Sequence, residues 1–416
     1  MLLALLGTDS DSLALAAAAI GEGHQIVWLG DVRPEDADLV RNVLPGLTDR
    51  AAQWELVLDR GTADAVIVGR GTSTAELRAE QLKRLAAEAA PTLAVHPACD
   101  SVLPYYEIDM TRRETGSVVR HYNPVADHPV YAEMIAWVRD GHPTIGPIHQ
   151  VTCERRLADN SRASVERALA CDVEPLCAIA GDIRRTSAVG PNIHQASFAS
   201  LQVQMIGAGP ASARWSVSSS GGAEAGMVLT LVGERGTVSL FAPESPDTAP
   251  PQPWKLETVG AGERQTEELE PFDAPRIAIQ QLEQAVAETD GERRHDWSTW
   301  DTATRDMEIV DAIELSLEKG RMIDVHKQQL TEQLAFRGTM SAIGCGLLVV
   351  GFLVFFIVSL FGAAEGNDAR KLIPAWPKIL LAVLAFFLLL QFAPLLILGK
   401  KTGRNASTAN PRSDTE

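Results

Sequence analysis

The apolar positions of the first hundred residues fall into short blocks separated by helical stretches. Residues 2–6 (LLALL) are wholly apolar, the pattern of a strand covered on both faces. Asp9, Ser10, Asp11 and Ser12 offer helix N-caps, and residues 13–20 then supply strong helix formers. Residues 25–29 predict a second strand ending at Gly30 and Asp31. Pro34, with Glu35 and Asp36, opens a helix that Pro45 and Gly46 stop. Residues 65–68 (AVIV) predict a third strand, 74–89 an amphipathic helix, and 92–95 a fourth strand ending at His96 and Pro97. Such alternation implies strand–helix–strand units in a doubly wound parallel sheet.

The next stretch is richer in strands, with candidates at 148–156, 197–204, 211–218, 227–232 and 237–241. Residues 242–273 are proline-rich and acidic, with 254–259 as their one strand candidate, and are expected to form a long mobile excursion at a sheet edge. Near residue 338 the pattern changes. The runs 338–362 and 379–398 contain no charged residue, and each reaches the roughly 20 residues a helix needs to cross a bilayer. Trp376 precedes the second run, and Lys400, Lys401 and Arg404 follow it. The expectation is a two-span membrane hairpin with a polar tail at 399–416, a multi-pass membrane protein whose other domains face the cytoplasm. The opening apolar run lacks a basic start and stops after six residues at Gly7, so no signal peptide is expected.

Composition narrows the classes. The chain has 416 residues, 46% hydrophobic and 22% charged, which excludes a disordered protein. Its net charge of −17 argues against nucleic acid as a partner, since tracking phosphates needs an excess of Lys and Arg. The five cysteines form no C-x-x-C pair, and no metal site or disulfide framework is expected.

A dinucleotide fold would show G-x-G-x-x-G after the first strand and an acid at the end of the second. The turn here reads Gly7-Thr8-Asp9-Ser10-Asp11-Ser12, so only the first glycine is present, while Asp31 stands where the ribose hydroxyls would be held. Asp9 and Asp11 can cap the helix themselves and fill the anion site with protein charge. An ordinary N-cap accounts for the same residues.

The order of segments resembles the Gfo/Idh/MocA family of NAD(P)-dependent sugar and polyol oxidoreductases. MLLALLGTDSDS through WLGD is similar to the family's first strand–helix–strand unit, LDRGTADAVIVG to its third strand, and PTLAVHPACDS to its EKP strand and turn. HYNPVADHPVYAEMIAWVRDGHPTIGPIHQV resembles the entry to the second domain. LVGERGTVSLF resembles a hairpin of that domain, and WSTWDTATRDMEIVDAIELSLEKGRMIDV the closing helix. The resemblance covers residues 1–325. It implies a Rossmann-like nucleotide-binding domain (1–122), then an α/β domain with an open, mostly antiparallel sheet (123–330) that makes a homodimer.

It also implies site residues. Gly7, Thr8 and Asp31 would hold NAD or NADP, with Arg33 keeping a 2′-phosphate open, unless the cofactor has been lost. The family's EKP lysine is matched by His96, whose ordinary pKa suits proton transfer; a histidine in a surface turn is the plainer alternative. The family's D-x-x-x-H-x-x-D helix is matched by Arg167, Cys171 and Glu174, so only Glu174 keeps a carboxylate and Cys171 fits a buried thiol. His121, Asn123, Asp127 and His128 could line the crevice between domains or sit in a solvated loop. Trp297 and Trp300 suit packing anchors against the first domain. Two functions stay open: a catalytically degenerate homologue acting as sensor or scaffold, or an active dehydrogenase of a sugar or polyol with His96 and Glu174 as its catalytic residues.

Overall fold

The computed structural model describes residues 1–325 apart from 60, 192–194, 196, 199, 220–224, 244–251, 261 and 288–297. The described lobes lie in one compact unit, Met1–Lys327.

Five short strands build the first lobe: β1 (Leu2–Leu6), β2 (Gln25–Gly30), β3 (Ala65–Val68), β4 (Thr92–Val95) and β5 (Val119–Tyr122). All pair in parallel, in the order β2-β1-β3-β4-β5. Because successive side chains alternate faces, Leu3, Leu5, Ile67 and Leu93 point to one side. There they meet Leu13 and Leu15 of α1 (Ser10–Gly21) and Ile279 and Leu282 of α7 (Ala274–Ala287). Leu6, Val66 and Val68 point to the other side, with Leu82 and Leu85 of α3 (Ala75–Ala87) and Ile108 of α4 (Val102–Thr115). Each fully buried leucine or isoleucine contributes about 1.5–3 kcal/mol. A short helix, α2 (Ala37–Val43), follows β2, entered through a 3₁₀ turn at Pro34–Asp36.

The second lobe is a nine-stranded sheet. Its strands are β6 (Ile148–Leu157), β7 (Ile183–Val189), β8 (Gln202–Gly207), β9 (Ser212–Ser219), β10 (Gly226–Gly233), β11 (Gly236–Pro243), β12 (Lys255–Gly260), β13 (Glu263–Glu268) and β14 (Ile323–Asp324). The order is β13-β12-β11-β10-β6-β9-β8-β7-β14, and the β6–β9 pair is parallel while the other pairs are antiparallel. Helices α5 (Val130–Asp140) and α6 (Arg162–Ala180) pack on it. Asp172 of α6 is fully buried and accepts from Trp215 Nε1 (2.8 Å) and Arg155 Nε (2.9 Å), which ties helix to sheet. The stretch 242–273, expected as a long excursion with one strand candidate at 254–259, contains the β12–β13 hairpin, whose first strand matches that candidate.

Helix α8 (Ser298–Lys319) joins the lobes. Trp300 stacks on Tyr105 of α4 (centroids 5.1 Å apart) and donates to the Tyr105 carbonyl (3.2 Å). The anchor expected of Trp300 is therefore present, whereas Trp297 lies outside the described residues.

The membrane hairpin expected from sequence needs correction, and so does the multi-pass localisation with cytoplasmic domains that rested on it. No helix among the described residues is long and apolar enough to cross a membrane. The longest, α6 and α8, carry charges along their length, such as Arg162, Glu166, Arg167, Asp172 and Glu174 in α6. Intramembrane charges are costly, and these helices pack inside the protein instead. The runs 338–362 and 379–398 lie outside the described residues. The fold of the described residues is thus a Rossmann-like parallel sheet followed by a mixed sheet, without spanning helices among them.

Candidate functional site

The carboxyl ends of the parallel strands face α6, the place where open α/β sheets bind ligands. At the end of β1, Gly7 adopts φ +86°, a conformation natural to glycine. A Cβ there would meet Arg78 Nη2 at 2.5 Å and the Gly69 carbonyl oxygen at 2.6 Å. Asp9 caps α1 reciprocally with Ser12: Ser12 N donates to Asp9 Oδ1 (2.7 Å) and Asp9 N to Ser12 Oγ (2.9 Å). The second Asp9 oxygen accepts from Arg70 N (2.9 Å), and the side chain is completely buried. Thr8 is equally buried, and its hydroxyl accepts from Arg33 N (2.9 Å).

Asp31, at the end of β2, also has positive φ (61°). Oδ1 accepts from Thr72 N (2.8 Å) and Thr72 Oγ1 (2.6 Å). Oδ2 accepts from Ser73 N (3.2 Å), Ser73 Oγ (2.8 Å) and Arg78 Nη2 (2.5 Å). A carboxylate offers about four lone-pair sites, so five donors leave none for a ribose hydroxyl. Burial alone would raise the Asp31 pKa; the hydrogen bonds from Thr72 and Ser73 and the Arg78 charge outweigh it and lower the value. Arg78 reaches this point from α3 and also donates to the carbonyls of Leu6 and Arg70 and to Gln81 Oε1. Sequence reasoning missed Arg78, because an arginine on an amphipathic helix ordinarily faces water.

His96 ends β4 and is 1% exposed. Its Nε2 lies 3.3 Å from the Ala170 carbonyl of α6. A carbonyl only accepts, so Nε2 carries the proton, and the buried Nδ1 has no partner among the described residues. Burial, helped by the neighbouring His121 charge, pushes the His96 pKa down to about 4, against the raising effects of Glu174 and the Ala170 carbonyl. The two rings meet edge to face at 5.6 Å. Arg70 Nη2 donates to the His96 carbonyl (3.2 Å) and Cys171 Sγ lies 3.6 Å from the same oxygen. Burial holds the Cys171 thiol well above its ordinary pKa, so it stays protonated.

Glu174 is joined to His121 rather than to His96. His121 Nε2 lies 3.1 Å from Oε2 and 3.2 Å from Oε1, and Asn123 Nδ2 donates to Oε2 (2.8 Å). Burial opposes the charge on both partners, yet their mutual attraction prevails: the Glu174 pKa is lowered and that of His121 raised. Asn123 has a second task. Pro175 lies inside α6 and has no N–H for the carbonyl four residues back, and Asn123 Nδ2 donates to that very oxygen, of Cys171, at 2.9 Å. The structure therefore gathers His96, Cys171, Glu174, His121 and Asn123. Asp127 interacts with His121 and Glu174. His128 lies apart, stacked on Trp254 at 4.1 Å. Among the described residues, no cluster of His, Cys, Asp and Glu is able to hold a metal ion.

No family model matches the sequence, and no curated protein matches it. Solved structures do. The 3-ketoreductase KijD10 from Actinomadura kijaniata, in complex with NADP, gives a TM-score of 0.61 at 16% identity, over 76% of this chain and 97% of that one. An oxidoreductase from Agrobacterium radiobacter, in complex with NAD+, L-tartaric acid and magnesium, gives 0.56 at 15% identity, over 78% and 98%. An oxidoreductase from Thermotoga maritima gives 0.60 at 15%, also over 78% and 98%. At such identity the likeness shows the fold alone: a Rossmann-like parallel sheet followed by a mixed sheet, shared with these solved oxidoreductases, of which the first holds NADP and the second NAD+.

Proposed function

We propose that this protein keeps an oxidoreductase fold as a binding or scaffold module and does not hold a dinucleotide for hydride transfer. The observation that carries the reading is Asp31, whose carboxylate is saturated by Thr72, Ser73 and Arg78. To take a ribose hydroxyl it would have to release partners, and breaking a buried ion pair costs about 3–5 kcal/mol. The capping of α1 by Asp9 adds to this, since a phosphate there would face a buried carboxyl group. The residues present thus do not fit NAD or NADP.

The test is a titration of NADH and NADPH into the full-length protein, followed by nicotinamide fluorescence. Binding weaker than about millimolar, or about −4 kcal/mol, is expected. Micromolar binding overturns the reading. It would favour the second one, an active sugar or polyol dehydrogenase using His96 and Glu174. One observation speaks for that alternative: Arg70, beside His96, has a buried Nη1 with no partner among the described residues.

A further inference from the structure

A cavity of about 260 Å³ runs along the β5 edge of the first sheet, away from the turn at Gly7. It is lined by Arg120 and His121 of β5, Asp127, Glu174 of α6, Gln281 of α7, and Thr299 and Thr302 of α8. Four separate elements thus bring polar side chains to one place. Two of these side chains present buried atoms without a partner among the described residues, His121 Nδ1 and Thr299 Oγ1. A buried polar atom left unpaired in a polar cavity calls for an external partner.

The donor balance says what kind. Arg120 Nη2 donates to Gln281 Oε1 (3.0 Å), which leaves the Gln281 amide NH₂ as the donor end of that side chain. His121 spends Nε2 on Glu174, whose charge favours the protonated ring, and in that form Nδ1–H is a further donor. Thr299, whose buried Oγ1 has no partner among the described residues, and Thr302 complete the wall. The Glu174 oxygens already accept from His121 and Asn123, and Asp127 is the other carboxylate among the lining residues. Charge follows the same division. Glu174 is balanced by His121, and Arg120 is balanced by Asp127 when that acid is ionised. With Asp127 protonated, one positive charge is left over, which a single anionic group would neutralise. The volume lies below the roughly 300–1,000 Å³ of drug-sized pockets.

We propose that this cavity binds a small organic monocarboxylate, taken up together with a proton on Asp127. Asp127 is faced by Glu174 from α6 and by His121 and Arg120 from β5, while α7 and α8 bring the uncharged Gln281, Thr299 and Thr302. Burial first, and then the Glu174 charge, push its pKa up to about 6, against His121 and Arg120. The proton is therefore exchanged near neutrality.

Calorimetric titration of lactate into the full-length protein tests this, with glycerol and inorganic phosphate as controls. If only the Asp127-protonated form is competent, affinity scales with its population, giving lactate binding tighter by roughly an order of magnitude at pH ~5.5 than at pH ~7.5. Asp127→Asn mimics the protonated acid and should bind at the higher pH as wild type does at the lower, with the pH dependence gone. Arg120→Gln should abolish binding. Lactate affinity that does not change with pH, glycerol or phosphate binding as tightly as lactate, or no lactate binding by wild type at the lower pH and by Asp127→Asn would each overturn the proposal. None of these outcomes depends on whether a dinucleotide binds elsewhere.

Discussion

Arg78 Nη2 lies 2.5 Å from Asp31 Oδ2, and each side chain is only 5% exposed. The pair links α3 to the end of β2 across the crevice where a Rossmann-type fold would seat its cofactor. With Asp31 N and Val32 N held by Asp49, and Arg33 N held by Thr8, backbone and side chains of this corner are bound to one another.

Removing one partner should be costly. Arg78→Met leaves the buried Asp31 charge with only the hydroxyls and backbone N–H groups of Thr72 and Ser73 and should destabilise the protein by about 3–5 kcal/mol. The double variant Asp31→Asn with Arg78→Met should lose less than the sum of the single losses, because the second change removes the stranded charge. Urea denaturation of the four proteins measures both. Strict additivity would show that the pair does not act as one.

The Asp9 cap makes a separate prediction. Asp9→Ala removes the acceptor for Ser12 N and Arg70 N, and an N-cap loss typically costs about 0.5–2 kcal/mol. Asp9→Gly should give weak NADH binding a measurable rise, since it takes a carboxylate away from the helix N-terminus. A thermal melt checks the first statement and nicotinamide fluorescence the second. An unchanged melting temperature in Asp9→Ala would mean that the cap contributes nothing.

His96 sets a pH dependence. Its folded pKa, about 4, lies below the ordinary 6.5 of an unfolded chain. The unfolded state therefore binds the extra proton first, and stability falls as pH drops from 6.5 toward about 4. Asp127 works the other way. Its value, about 6 against 3.8, makes the folded state the better proton binder, so it adds stability as pH falls through about 6. The two partly cancel in wild type, and the His96→Gln variant separates them. Its melting temperature should gain on wild type as pH falls over that window. A difference that stays constant with pH would contradict the burial of a neutral His96.

Asp306 of α8 is fully buried, and neither carboxylate oxygen has a partner among the described residues. Burial and the Glu174 charge raise its pKa well above the ordinary value, although Arg305 opposes them. An acid with a raised folded pKa loses stability as pH climbs above its unfolded value. Asp306→Asn should thus be more stable than wild type at neutral pH, by an amount that widens toward alkaline pH. Equal melting temperatures across that range would argue that Asp306 finds a partner.

The sequence is most legible where burial is most complete. Strands β1, β3 and β4 have the bounds predicted from their apolar runs, because both faces are covered and nothing polar interrupts them. β5 escaped notice, since VRHY mixes charge with apolar residues at a sheet edge. β7 opens with two consecutive exposed arginines, Arg184 and Arg185, at a register shift, and β13 is exposed at all six positions, held through its hairpin to β12. No local pattern marks a strand of that kind. In the crevice, the turn at Gly7 and the acid at Asp31 were visible because they follow strands. The arginine that occupies Asp31 comes from 47 residues away, and only tertiary packing brings it there. The joining of Glu174 to His121 was hidden for the same reason, although both residues had been singled out.

One consequence follows from the way Arg78 fills its corner. A fold that seats a soluble cofactor gains stability from that cofactor in proportion to its concentration. Here the occupant of Asp31 is part of the chain, so its local concentration is fixed by the covalent tether and cannot be diluted. On the proposed reading, in which no dinucleotide is held, the stability of this lobe does not depend on the nicotinamide pool or its redox state, and heating scans with or without added NADPH should superimpose.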